Sequence, residues 1–514
     1  MQSEIIRKDG QWKWLVDGKP FVAYAGELHN SNASNLKHMD EHVWPYMKDL
    51  KINTILFPVY WEMIEKEEGV FDFSLLDGII EKCRKLNKKA IVLWFGIWKN
   101  GTSTYVPKWV KTDTENYFRA EARYGKKTAT ISPLCDKAVD ADRRAFGKLM
   151  EHIKAINTSE TTIVAVQVEN EIGLLNSDRD YSKPAEKKFR EEVPEDLRKT
   201  FDIDERGNYE QLFGEDAPEV FMTYAYASAI ERIASLGKET YDLPFLMNAW
   251  IEKYPWRPGT YPSGGPIARY MNVWKKIAGS IDVLEPDVYV AEFDEVASQF
   301  TKENNPLMIP EYRRDVYHIS NAFHAYGKYN ALCMSVFGIE DLMTPPEKRL
   351  GIFNPAVLAT LNINLEAWQI NGTTEVLNET FDLLANSQNT REKARREGRV
   401  YSFARNNEME KGTVIETEKY SFQIVYNSVN KDKPKAAGMI IETDEDDFYI
   451  MGTSFKLMFL PKKGKDCNIG ILDYEEGHFE NDNWICERPL NGDEGVFVQF
   501  FDHPEAKRLE LYTY

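Results

Sequence analysis

Short apolar runs recur along the first two thirds of the chain. Each is followed by a polar stretch and then by a segment whose apolar positions fall at helical spacing. The runs lie at 21–26, 54–59, 90–95, 163–168, 244–250, 283–290, 307–310 and 331–337, with helix patterns such as 74–86, 142–156 and 220–236 between them. The runs are apolar almost throughout instead of alternating with polar residues, so both faces of the predicted sheet are covered. Strands that alternate with helices pair in parallel. Eight is also the number of strands that closes a barrel, so the expected fold is an α/β (β/α)8 TIM barrel. A doubly wound open sheet is the alternative, but no glycine-rich phosphate fingerprint follows the first strand. Residues 11–26 read as two strands joined at Asp17-Gly18, a two-residue turn signal.

After about residue 371 the pattern changes. A helical stretch at 392–399 leads into short alternating runs, SFQIVYNS, AAGMIIET, DFYIMGT, FKLMFL and GVFVQFF. These predict a C-terminal antiparallel β-sandwich. The expected division is a catalytic barrel with a short N-terminal hairpin over 1–370, then a helical connector and sandwich over 371–514. The acidic run Asp444-Glu445-Asp446-Asp447 reads as a solvated turn, and the charged segment 174–218 as a lid or subsite insertion.

Composition narrows the function. The 514 residues carry 64 basic against 82 acidic side chains, a formal net charge of −18. That balance opposes nucleic acid and anionic membrane surfaces, which need a positive footprint. No run reaches the length of apolar residues that spans a bilayer. Five cysteines (Cys83, Cys135, Cys333, Cys467, Cys486) are scattered and form no CxxC pair, so neither a disulfide framework nor a zinc ribbon is indicated. Cys467 and Cys486 are near enough in sequence to pair; reduced thiols are the other reading. The opening MQSEIIRKDG has no apolar signal-peptide run. The expectation is a cytoplasmic protein, the alternative a secreted or periplasmic one whose leader has been removed. A homo-oligomer is compatible with all of this.

The candidate chemistry sits at strand ends. The run 163–168 closes on Glu169-Asn170-Glu171, and the seventh run, PLMIP, closes on Glu311. In a parallel barrel the C-terminal strand ends form the active face, and strands three steps apart on an eight-membered ring face each other across its mouth. Two carboxyl groups placed there can flank one glycosidic bond: one protonates the leaving oxygen while the other attacks or activates water. The bland reading is a pair of rim carboxylates, with Arg313 and Arg314 available to Glu311. Glu169 points away from Asn170 along a strand and reads as structural.

The segments DGKPFVAYAGELHNS, YWEMIEKEEGVFDFS and QVENEIG, with Glu171 ending strand four and Glu311 strand seven, together resemble the retaining barrel glycoside hydrolases, specifically β-galactosidase families 35 and 42. The resemblance covers roughly residues 11–340, and the C-terminal part resembles the extra β domain of a bacterial family 35 subgroup. It departs at Ile172, where family 35 has an aromatic residue, and at Trp61-Glu62-Met63-Ile64-Glu65, where the family has Trp-Asn-x-His-Glu. The resemblance implies a retaining exo-β-glycosidase, most readily a β-galactosidase, acting on an oligosaccharide or glycoside with no metal or organic cofactor. Glu171 would be the general acid/base and Glu311 the nucleophile. Asn170 would bind the sugar 2-hydroxyl, and Tyr289 would hydrogen-bond the nucleophile. Glu27 and Asn30 would grip sugar hydroxyls, and Trp61, Trp94 and Trp250 would form a stacking wall. Asn248 and Asp287 are weaker rim candidates.

Two other readings come from different classes. His38-Met39-Asp40-Glu41-His42 satisfies H-x-x-E-H, in which two histidines on one helix face hold zinc and the glutamate is the base of a metalloprotease. Against it, the segment falls where the first outer helix of the barrel is expected, and no third ligand is identifiable. A sugar-binding protein without catalysis is the other, and the presence of both glutamates opposes it.

Overall fold

A computed structural model describes residues 2–158, 160–252, 255–349, 364–462 and 466–514. Eight parallel strands form one sheet: β1 (Ala23–Glu27), β2 (Thr54–Tyr60), β3 (Lys89–Lys99), β4 (Ile163–Asn170), β5 (Phe245–Ala249), β6 (Val283–Pro286), β7 (Met308–Tyr312) and β8 (Cys333–Phe337). Their order is β6-β5-β4-β3-β2-β1-β8-β7, every hydrogen-bonded neighbour parallel. Closure between β6 and β7 runs through one residue. Val288 donates its N–H to the Glu311 carbonyl at 2.8 Å and accepts from the Arg313 N–H at 3.1 Å. Pro286 ends β6 and lacks a donor, so the seam is made just beyond it. The barrel expected from the sequence is therefore the fold, and its seam lies beside Glu311.

Helices cover the outside, among them α1 (Ser74–Lys85), α2 (Asp136–Asn157) and α3 (Ala217–Thr240). All three expected helices are present. The last two extend further at both ends than their apolar patterns did, because polar residues continue a helix once its face is packed. The two-strand unit at Asp17-Gly18 is also present, with φ of 51° and 74° at the turn. A further strand, Ser3–Lys8, pairs with Gln11–Val16 through Asp9-Gly10, which carries φ of 54° and 76°. It is the same Asp-Gly signal, one turn earlier, and the sequence reading passed over it.

Beyond the barrel, helices Thr373–Asn386 and Gln388–Arg396 precede two antiparallel sheets of six and four strands. Phe422, Phe448, Ile450, Phe455, Leu457 and Leu509 make a separate apolar core between these sheets. Met439, Ile441, Met451, Phe479 and Ala506 belong instead to the cluster that includes the barrel, so the sandwich is welded to the barrel by shared core. All five cysteines are free, Cys467 and Cys486 included. Among the described residues no helix is long and apolar enough to cross a membrane.

Candidate active site

The end of β4 departs from a regular strand, and the departure positions the chemistry. In an unbroken strand Glu169 and Glu171 would share a face and Asn170 would oppose both. Glu169 and Glu171 instead adopt φ of 61° and 46°, left-handed backbone that costs a side-chain-bearing residue about 1–3 kcal/mol. The twist leaves Glu169 facing the helical layer while Asn170 and Glu171 both face the barrel mouth. The Glu171 N–H donates to Asn248 Oδ1 at 2.9 Å, which ties the turn to the end of β5.

Glu169 is structural. Its carboxyl accepts the N–H groups of Ile97 and Trp98 at 3.0 and 2.7 Å. Asp142 of α2 accepts from Ile97 N–H at 2.9 Å and from Trp94 Nε1 at 2.8 Å. Burial, then the neighbouring Asp142, pushes the Glu169 carboxyl well above the usual range. Gly96 lies against this network. A Cβ there would fall inside contact distance of Asp142 Oδ2, Trp94 Nε1 and Glu169 Oε1. Gly96→Ala is therefore expected to destabilise the protein by about 1–3 kcal/mol, read as a lower urea midpoint; an unchanged midpoint contradicts the packing described.

On the mouth side, Glu171, Asp287 and Glu311 each present a carboxylate oxygen, and the three oxygens lie within 4.8 Å of one another. Glu311 accepts the Tyr289 hydroxyl at 2.7 Å and Asn248 Nδ2 at 3.3 Å. Asn248 Nδ2 also reaches Asp287 at 2.9 Å. Lys99 is the buried cation of the cluster. Its Nζ donates to Asn170 Oδ1 at 2.5 Å and lies 3.9 Å from Glu171. Burial works to lower the Lys99 pKa, but the surrounding Glu171, Glu311, Glu27 and Asp287 outweigh it and hold it raised.

Burial and the negative charge of Glu171 push Glu311 up to about 7, while Lys99 and the Tyr289 hydroxyl pull the other way. Glu27 and Asp287 are raised well above their usual range, first by burial and then by Glu311. One lysine cannot balance four buried carboxylates, so burial keeps part of the cluster protonated near neutrality. Several polar atoms of this cluster make no hydrogen bond among the described residues: both oxygens of Glu27 and Asn170 Nδ2; Asn30 Oδ1, beyond β1, is likewise buried without one. A buried polar atom without a partner costs about 1–3 kcal/mol. A ligand rich in hydroxyls relieves that cost at several positions together.

The expected stacking wall needs correction. Trp61 and Trp94 are fully buried. Trp61 donates Nε1 to Glu65 at 2.6 Å and packs edge-on against Trp109. Trp94 donates to Asp142 and packs on Phe146 of α2. Both rings are core: β3 runs on to Lys99, which leaves Trp94 inside the strand, and Trp61 opens the short helix that follows β2. Trp250 stands half-buried just past β5. The aromatic ring that does reach a carboxylate is Tyr289, and Trp368 stacks on it with ring centroids 4.9 Å apart and lies edge-on to Phe337 at 5.8 Å. The sequence reading missed both Trp368 and Lys99. Trp368 lies in a segment with no regular pattern, and nothing local marks it. Lys99 had a usable signal, a lone cation closing the apolar run AIVLWFGIW.

Glu171, Asp287 and Glu311 are also, among the described residues, the group of side chains close enough to hold a cation. Hydrogen-bond donors already point at these oxygens, and Lys99 supplies positive charge beside them. The H-x-x-E-H segment builds no such group. His38 and His42 stack at 4.9 Å on one short helix, His38 bonds Asn32 Oδ1 at 3.2 Å, and no third ligand joins them among the described residues.

The parallel barrel thus gathers carboxyl groups at the C-terminal ends of β4, β6 and β7, the face where such barrels carry their chemistry. Residues 35–207 match the family described as Beta-galactosidase (glycoside hydrolase 42), a stretch that includes Glu171 and stops before β5. Residues 377–501 match a family described as Domain of unknown function (DUF5597). Among solved structures the chain is similar to a β-galactosidase from Bacillus circulans sp. alkalophilus, 17% identical with a TM-score of 0.45 over 61% of this chain and 50% of that one. It is also similar to the catalytic domain of a β-amylase from Paenibacillus polymyxa, 11% identical with a TM-score of 0.48 over 63% of this chain and 94% of that one. A third is the exo-β-1,4-mannosidase Op5Man5 from Opitutaceae bacterium strain TAV5, 13% identical with a TM-score of 0.40 over 71% of this chain and 60% of that one. The chain thus spans half the length of that β-galactosidase. Over residues 35–207 the chain matches the β-galactosidase family model, within an eight-stranded parallel barrel.

Proposed function

We propose that the protein is a retaining exo-β-glycosidase, most readily a β-galactosidase, using Glu171 and Glu311 in a double displacement. The observation that carries this reading is the approach of their carboxylate oxygens to within 4.8 Å. Retaining enzymes hold the two groups about 5–5.5 Å apart, whereas inverting ones leave ~6.5–9.5 Å for a water.

The hydrogen-bond partners support the roles. Glu311 receives two donors, Tyr289 and Asn248, which favours its anion and suits a nucleophile. It attacks the anomeric carbon, and the leaving oxygen departs with the proton of Glu171. Glu171 then takes a proton from the water that opens the glycosyl–Glu311 ester, restoring both groups. Asn170, its Oδ1 held by Lys99, has Nδ2 left to donate to a sugar hydroxyl, and Glu27 and Asn30 offer acceptors. Exo action and galactose rest on the sequence motifs.

A panel of 4-nitrophenyl glycosides tests the reading: the β-galactoside is expected to turn over fastest, and cleavage of α-anomers alone would contradict it. The carboxylate cluster raises a second reading, a metal-dependent hydrolase. Because donors and an ammonium already satisfy these oxygens, exhaustive dialysis against a chelator is expected to leave kcat/KM within about twofold; loss of activity restored by a divalent cation favours the metal.

A further inference from the structure

The hairpin Arg119–Ala122/Lys126–Ile131 rises from the chain that follows β3 and leans on it, Thr130 Oγ1 donating to the Gly101 carbonyl at 2.5 Å. The segment after β4 is stitched to the segment after β5, with Asn176 N–H on the Gly259 carbonyl at 2.8 Å and Leu174 paired with Ser263. Between these three loops lies a cavity of about 670 Å³, lined by Arg123, Asn176, Asp178 and Arg257 among others. Next in sequence to these arginines, beyond the lining itself, stand two exposed rings, Tyr124, wholly exposed, and Trp256, 62% exposed. Both hold left-handed backbone, φ 64° and 58°, which a bulky side chain adopts at a cost. Arg123 is fixed across the cavity wall by Asp178 at 2.8 Å.

We infer that this cavity is a distal subsite for the leaving-group side of a β-linked saccharide of three or more units; the inference rests on the glycosidase reading above. Position decides the side. The cavity is built from the loops after β3, β4 and β5, the flank that carries Glu171, and the acid/base stands beside the leaving group. Chemistry decides the class. Exposed rings offer faces for sugar C–H groups, while charged and amide side chains in a concave site bind hydroxyls. The volume falls within the range of ligand pockets, ~300–1,000 Å³.

The test uses Trp256→Ala and Tyr124→Ala in the full chain, with β-1,4-galacto-oligosaccharides of two to four units and 4-nitrophenyl β-galactoside. Each variant is expected to lower kcat/KM about tenfold on the tetrasaccharide, while the aryl galactoside stays within about twofold. Equal effects on both substrates, or none, overturn the subsite. Calorimetric titration of the tetrasaccharide into Glu311→Gln, with and without Trp256→Ala, separates the two claims. If the wild type turns over no glycoside, the glycosidase reading fails, yet weaker tetrasaccharide binding without Trp256 still supports the subsite. Binding that ignores Trp256, or no binding at all, overturns it.

Discussion

Glu311→Gln is expected to lower kcat/KM on every β-glycoside by on the order of 10⁵-fold, the scale seen when a covalent nucleophile is removed. The amide keeps the shape of the side chain but can neither attack the anomeric carbon nor stabilise its developing charge. Folding should survive, because the substitution removes charge from a crowded site where Glu171 and Asp287 already repel Glu311. The urea midpoint therefore stays level or rises while turnover disappears. A variant that retains a tenth of wild-type activity contradicts the assignment of Glu311.

Glu171→Gln is expected to divide substrates by leaving group. General acid catalysis contributes about 10²–10⁴-fold where the departing oxygen needs a proton. Loss on an alkyl glycoside or disaccharide should reach that range, while a nitrophenyl glycoside, whose leaving group departs as a stable anion, loses far less in its first step. The pH dependence follows with a definite sign. Burial and the negative charge of Glu171 push Glu311 up to about 7, and only its anion attacks, so kcat/KM rises as pH rises through that value. Glu171→Gln removes that charge, so the rising limb should move to lower pH. Equal losses on both substrate types, or a limb that stays in place, contradict these roles.

The barrel was legible because strands covered on both faces are apolar throughout, a pattern that solvent-exposed elements do not imitate. The carboxylate pair was legible for a related reason: a charge that closes an apolar run has to emerge at the sheet's end. What failed was direction. Trp61 sits just past β2 as expected but Trp94 lies inside β3, which runs on to Lys99, and both are core, since alternation tells that successive residues differ and not which of them points inward. The left-handed turn at Glu169 and Glu171 was likewise hidden, and without it Glu171 would share the outward face of Glu169. Asp287 and Asn248 looked like weak rim candidates because each is one polar residue among apolar neighbours. Only closure through Val288 brings Asp287 and Tyr289 to Glu311. Trp368 could not be read from the chain, because its value comes entirely from the ring it stacks upon.

The most direct measurement follows the anomeric proton by NMR during the first turnovers of a β-glycoside, before the released sugar mutarotates. Two successive displacements at one carbon, by Glu311 and then by water, return the original configuration, so the β-anomer should appear first and the α-anomer only as mutarotation proceeds. Appearance of the α-anomer first would mean a single displacement by water and would contradict the covalent role of Glu311.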